Sequence, residues 1–67
     1  MLSPVAIPPP MTRIVIQWQD QVGHWHRCQE KHNQADAVRT AQARARSTGK
    51  RHRLVDERGS LIDLVEP

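Results

Sequence analysis

Four residues that could bind a metal or act as a nucleophile lie close together in the first half of the chain. His24, His26 and Cys28 alternate, and His32 follows. Alternate residues share one face of a β-strand, and zinc prefers imidazole and thiolate ligands. The spacing H-x-H-x-C-x3-H nevertheless differs from that of zinc fingers and knuckles, and the fourth ligand would have to be His32 or His52. We therefore expect semi-polar side chains on the uncovered face of a sheet, with a metal site as the weaker alternative.

Catalysis is the second chemistry that this cluster raises. Cys28 beside a histidine could form a nucleophile and base pair. Residues two apart on a strand are about 7 Å apart, which is too far for direct proton transfer. The sequence also has no carboxylate pair, glycine-rich phosphate loop or G-x-S-x-G motif, and 67 residues leave little room for a substrate pocket. We expect a protein that is not an enzyme and needs no cofactor.

A basic stretch, residues 39–53, is the strongest charge feature. Residues 37–55 carry six positive charges and no negative one, residues 1–36 are neutral, and residues 56–67 sum to −3, which together give the net charge of +3. The six cations are Arg39, Arg44, Arg46, Lys50, Arg51 and Arg53. The planar guanidinium of arginine suits carboxylate and phosphate alike. The stretch therefore predicts either an acidic protein partner or nucleic-acid phosphates.

Three observations favour the protein partner. The chain has no Phe or Tyr, so Trp18 and Trp25 alone could stack on bases, and at least one of them is needed in the core. Cations near a helix C-terminus are favoured by the helix dipole without any ligand. We also expect Asp63 to neutralise Arg53 across paired strands. The favoured hypothesis is a module that binds another protein or itself, with the more exposed tryptophan as an apolar anchor. A nucleic-acid accessory protein is the alternative.

The first half of the chain predicts a β-hairpin. Residues 13–19 place Ile14, Ile16 and Trp18 on one face by alternation. Residues 20–23 (DQVG) have turn chemistry, and residues 24–31 form the second predicted strand.

A helix is predicted next. Asn33 can accept a hydrogen bond from the amide of Asp36 as an N-cap, and Gly49 is placed to end the helix. One stripe of the helix is made mostly of small side chains, and the arginines avoid it. The stripe comprises Ala37, Val38, Ala41, Ala45 and Thr48.

Residues 51–56 and 61–66 predict two further strands, joined by a turn at residues 56–59. The order strand, strand, helix, strand, strand predicts an α+β fold, a two-layer ββαββ sandwich with one helix on a small antiparallel sheet. The other sheet face, which we call the open face, would meet solvent.

The segments G-H-W at residues 23–25, Q-A-D-A-V-R at 34–39 and L-V-D-E-R-G-S-L-I at 54–62 resemble those of a family of short bacterial ββαββ proteins, a domain of unknown function. The resemblance covers residues 12–65. It departs from the family at Arg27, where similar sequences often have an aliphatic residue. The resemblance implies the ββαββ fold, and it carries no catalytic residues that could be transferred.

The remaining expectations concern domains and location. Residues 1–11 contain four prolines and predict a disordered tail, which leaves residues 12–67 as one domain. No apolar run reaches the roughly 20 residues of a membrane helix, the N-terminus does not read as a secretory signal, and the single cysteine fits a reducing compartment. We therefore expect a cytoplasmic protein that does not bind membranes.

Overall fold

The structure, a computed structural model, describes residues 13–67 as four strands and one helix. The elements are β1 (Ile14–Gln19), β2 (Trp25–Lys31), α1 (Gln34–Thr48), β3 (His52–Asp56) and β4 (Leu61–Val65). The strands form one antiparallel sheet in the order β2-β1-β3-β4, and α1 contacts all four of them. The predicted α+β fold in the order ββαββ is confirmed. The predicted tail, residues 1–11, lies outside the described residues.

The core lies between α1 and one face of the sheet. The sheet supplies its bulky side chains, and the helix supplies alanines, so that the helix can lie close to the strands. The buried cluster comprises Ile14, Ile16, Ala37, Ala41, Ala45, Leu54 and Val65. The predicted helix stripe is thus confirmed at its three alanines. Val38 is partly buried, whereas Thr48 is exposed.

Both predicted helix ends are confirmed. The Asn33 side chain accepts a hydrogen bond from the Asp36 amide at 3.0 Å, which satisfies one of the amides left free at a helix N-terminus. Gly49 has a φ of 71°, a left-handed conformation that glycine adopts without steric cost. Its amide donates to the Ala45 carbonyl at 2.9 Å. Residues 34–48 are therefore delimited by local chemistry.

A β-bulge changes the expected faces of β2. Ile16 lies opposite Gln29 and Gln17 lies opposite Arg27, so Cys28 is the extra residue. Cys28 packs against the core cluster on the helix side. His26 and Cys28 both lie on the helix side of the sheet, as alternate residues do, and the alternation shifts only after Cys28.

The prediction that His24, His26 and Cys28 project from the open face is wrong, because this side of β2 faces the helix. His24 precedes the strand, and its side chain is exposed. His26 stacks on Trp18, with 4.5 Å between ring centroids, and Trp18 alternates with the core residue Ile16 on β1. None of the three projects from the open face as predicted.

Strand register also separates two charges that we expected to pair. Arg53 lies opposite Leu64, and Asp63 lies opposite Leu54, which belongs to the core. Because alternate residues point to opposite faces, Arg53 projects from the open face and Asp63 does not. The predicted Arg53–Asp63 pair is wrong.

Within residues 13–67 no helix combines the length and the apolar character that crossing a membrane requires.

Candidate functional site

The six cations of the basic stretch lie on two sides of the molecule. Arg39, Arg44 and Arg46 are exposed on α1, and Lys50 lies on the helix side, 4.5 Å above the Trp18 ring. The other two cations, Arg51 and Arg53, belong to the open face. The structure therefore does not bring all six predicted site residues together.

Arg53 is fixed in place on the open face. Its guanidinium carbon lies 4.2 Å from the centre of the Trp25 ring, which is a cation–π geometry. Its Nε donates to the side-chain oxygen of Gln17 at 2.6 Å. Among residues 13–67, Arg53 forms no ion pair with a carboxylate. The terminal nitrogens of this guanidinium are thus positioned to donate to a ligand.

Two glutamates partly neutralise the other cations of this face. Glu30 pairs with Arg13 at 2.8 Å and also with Arg27. Glu66 accepts a hydrogen bond from Nε of Arg51 at 3.1 Å. Asp56 and Glu57 also border this face beside Arg13 and Arg27, so its positive potential is local to Arg53, the arginine that lacks a carboxylate.

Apolar side chains border the same face along β4. Leu61 is 59% exposed and Leu64 is 45% exposed, and their cross-strand partners are Val55 and Arg53. Val55 is itself buried, although it lies outside the main core cluster. The open face therefore combines a fixed cation, the half-buried ring of Trp25 and an exposed aliphatic edge.

The turn between β1 and β2 is organised by Asp20. Its Oδ1 accepts hydrogen bonds from the amides of Val22 at 3.0 Å and His24 at 2.9 Å. Its Oδ2 accepts from Nε2 of His26 at 2.7 Å. The pKa of Asp20 is lowered from 3.8 to about 2. The hydrogen bond from His26 is the largest cause, and the two amides add to it, whereas partial burial opposes the shift. Asp20 thus holds the turn in its ionised form.

A cleft opens on the helix side, at the end of α1 where Gly49 stands. Its volume is about 160 Å³, and its walls combine aromatic, thiol, hydroxyl, imidazole and cationic groups. The lining residues are Trp18, Cys28, Arg44, Thr48, Lys50 and His52. His52 is only 2% exposed, and its Nδ1 lies 2.9 Å from the Lys50 carbonyl oxygen.

The candidate metal ligands are not assembled as a site. In residues 13–67 no three His, Cys, Asp or Glu side chains are arranged to hold a metal ion. His26 is bonded to Asp20, Cys28 packs on the core, and His24 and His32 are exposed.

Three contributions were missed by reasoning from the sequence. Asp20 was assigned only to a turn, although an aspartate before a hairpin turn commonly accepts from amides two residues on. Gln17, which orients Arg53, gave no signal because its role depends on the pairing of β1 with β3. The cleft gave none either, because it joins residues from four elements.

Comparison of the chain with models of known protein families, with curated proteins and with solved structures finds no match. The resemblance to short bacterial ββαββ proteins therefore stays a prediction.

Proposed function

We propose that this protein is a small binding module without catalytic chemistry, and that its open face binds an acidic segment of another protein. The observation that carries the proposal is Arg53, which Trp25 and Gln17 hold in a fixed orientation while no carboxylate among residues 13–67 occupies it. An arginine that is already ordered loses less conformational entropy when it binds a carboxylate.

The aliphatic border supports a polypeptide as the ligand. Leu64 lies opposite Arg53, and Leu61 lies farther along β4 opposite Val55, so a segment that alternates acidic and apolar residues could contact the arginine and the leucines. Hot spots in protein interfaces are enriched in Trp and Arg, and Trp25 with Arg53 forms such a pair.

The same features argue against single-stranded nucleic acid on this face. Base stacking needs a free aromatic face, and Arg53 already occupies one of the two faces of Trp25, which leaves room for one base at most. The helix-side cations Arg39 and Arg46, which form no ion pair within residues 13–67, support nucleic-acid binding as the second candidate, at a different surface.

The test uses an unstructured peptide of alternating glutamate and leucine as the probe, and a lysine–leucine peptide as its control. Amide NMR shifts are expected to change around Arg53 and Leu64 with the acidic peptide only. Arg53→Gln should weaken binding about tenfold, the value typical of a lost charged hydrogen bond, whereas Arg39→Gln should leave it unchanged.

Two outcomes contradict the proposal. One is equal binding of the acidic and basic peptides. The other is binding of a DNA or RNA oligonucleotide, weakened by Arg39→Gln and Arg46→Gln, in the absence of any response to the acidic peptide.

A further inference from the structure

We propose that the cleft lined by Trp18, Arg44, Lys50 and His52 binds a small hydroxycarboxylate. This site lies on the helix side of the sheet, and it is independent of the open face and of the function proposed for it. Its volume of about 160 Å³ equals that of about five water molecules at roughly 30 Å³ each. A ligand of that size is smaller than a nucleotide or a drug-like molecule.

His52 gives the first indication of a ligand. A carbonyl oxygen can only accept a hydrogen bond, so Nδ1 of His52 must donate its proton to the Lys50 carbonyl, 2.9 Å away. In the neutral ring Nε2 is then a bare acceptor, and residues 13–67 give it no hydrogen-bond partner.

Nε2 is also accessible. Every fully buried side-chain nitrogen or oxygen among the described residues has a hydrogen-bond partner. Because Nε2 has none, it is not fully buried and keeps some contact with solvent. The cleft is the opening that His52 lines. An almost fully buried imidazole therefore presents an acceptor to whatever enters, and a hydroxyl group is a donor of suitable size.

The charge of the cleft sets the second requirement. Arg44 and Lys50 line it, and no carboxylate of residues 13–67 does. The negative end of the helix dipole would oppose an anion here. The Arg44 carbonyl accepts from the Thr48 hydroxyl at 2.7 Å and the Ala45 carbonyl from the Gly49 amide at 2.9 Å, and the dipole end amounts to only about half a negative charge against two full positive ones. The two cations therefore favour an anionic group.

The apolar groups that line the cleft indicate the third property of the ligand. Trp18 and Cys28 line the cleft, and because His26 and Lys50 already lie against the Trp18 ring, only the ring edge and the thiol are left to contact a short hydrocarbon. A carboxylate held by Arg44 and Lys50, a hydroxyl that donates to His52 and a small alkyl group against Trp18 together describe a hydroxycarboxylate.

The test titrates the full chain with lactate, with propionate, which lacks the hydroxyl, and with lactamide, which lacks the charge. Trp25→Phe removes the fluorophore of the open face, so fluorescence reports Trp18 alone. We expect saturable binding of lactate with a Kd of about 1 mM, a modest affinity for so small a ligand, and binding of the other two about tenfold weaker. The NMR signals of the His52 ring should move with lactate and not with propionate.

Variants separate this site from general effects. Arg44→Gln and Lys50→Gln should each weaken lactate binding about tenfold, and Arg39→Gln, a surface cation away from the cleft, should not. Equal binding of all three probes, or no saturable change with lactate, would overturn the proposal. Neither result bears on the acidic peptide, which is tested at the opposite face.

Discussion

At the scale of single residues, Asp20 does more than its place in a turn requires. One carboxylate accepts hydrogen bonds from two amides and one imidazole, so it ties together the turn and the beginning of β2. The His26 ring that it holds stacks in turn on Trp18. The charge of Asp20 therefore contributes to the order of the whole hairpin end.

This arrangement predicts an acid-dependent stability. The pKa of Asp20 is about 2 in the folded chain and 3.8 as the ordinary value. A carboxyl whose pKa is lowered on folding stabilises the folded state fully above its unfolded pKa, and this contribution is lost as the pH falls through the folded pKa. Asp20→Asn should therefore lower Tm at pH 5, and the difference from wild type should shrink between about pH 4 and pH 2.

Thermal unfolding followed by circular dichroism at a series of pH values measures this effect. Glu57→Gln, which removes an exposed carboxylate from the other turn, is the matched control and should show no such convergence. A Tm difference for Asp20→Asn that stays constant from pH 5 to pH 2 would show that its charge is not coupled to folding.

At the scale of elements, the packing of α1 on the sheet depends on the small size of its buried side chains. Ala37, Ala41 and Ala45 are fully buried against the sheet, and a larger group there would force the two layers apart. Ala41→Leu should destabilise the fold by about 1–3 kcal/mol, as overpacking of a closed core does. For a domain of this size 1 kcal/mol corresponds to roughly 4–8 °C in Tm.

Ala43→Leu is the control, because Ala43 lies on the exposed side of the same helix and leucine is nearly as good a helix former as alanine. Its Tm should stay close to that of wild type. If the two variants unfold at the same temperature, the helix is not packed through its alanine stripe.

The individual elements also show which features of the fold could be predicted from the sequence. The alternation of Ile14 with Ile16, the Asn33 cap and the Gly49 terminator are local signals, and each predicted its element because it needs no knowledge of a partner strand. The bulge at Cys28 and the position of Arg53 depend on which strands pair and in what register. Local pattern does not encode that information, so the histidine–cysteine row and the Arg53–Asp63 pair were placed wrongly.

At the scale of the whole molecule, β4 is one of the two edge strands of the sheet, and β2 is the other. Edge strands offer free amides to other chains. Here the amide of Leu64 donates to the carboxylate of Asp63 at 2.9 Å, which satisfies it within the strand. Two β4 edges paired about this residue would also bring like charges together.

Removal of this carboxylate should promote self-association. Asp63→Ala frees the amide and removes the charge, whereas Asp63→Asn removes the charge but keeps an acceptor for the amide. In sedimentation velocity the average mass should rise most for Asp63→Ala, less for Asp63→Asn, and not for Glu57→Ala, a control with the same loss of charge. If Asp63→Ala sediments like wild type, Asp63 does not protect the edge.

The small side chains on the buried face of α1 affect how the helix is positioned on the sheet. Alanines four residues apart recur about every 6 Å along the helix, so they set the distance of the helix from the sheet, and the larger Val38 side chain packs on the core cluster beside them. Two polar contacts join the helix directly to β2: the 3.4 Å pair between Lys31 and Asp36 near its start, and the 3.4 Å hydrogen bond from Arg44 to the side-chain oxygen of Gln29 nearer its end. The short connection between Lys31 and Gln34 therefore helps to determine how far along the sheet the arginines of α1 lie.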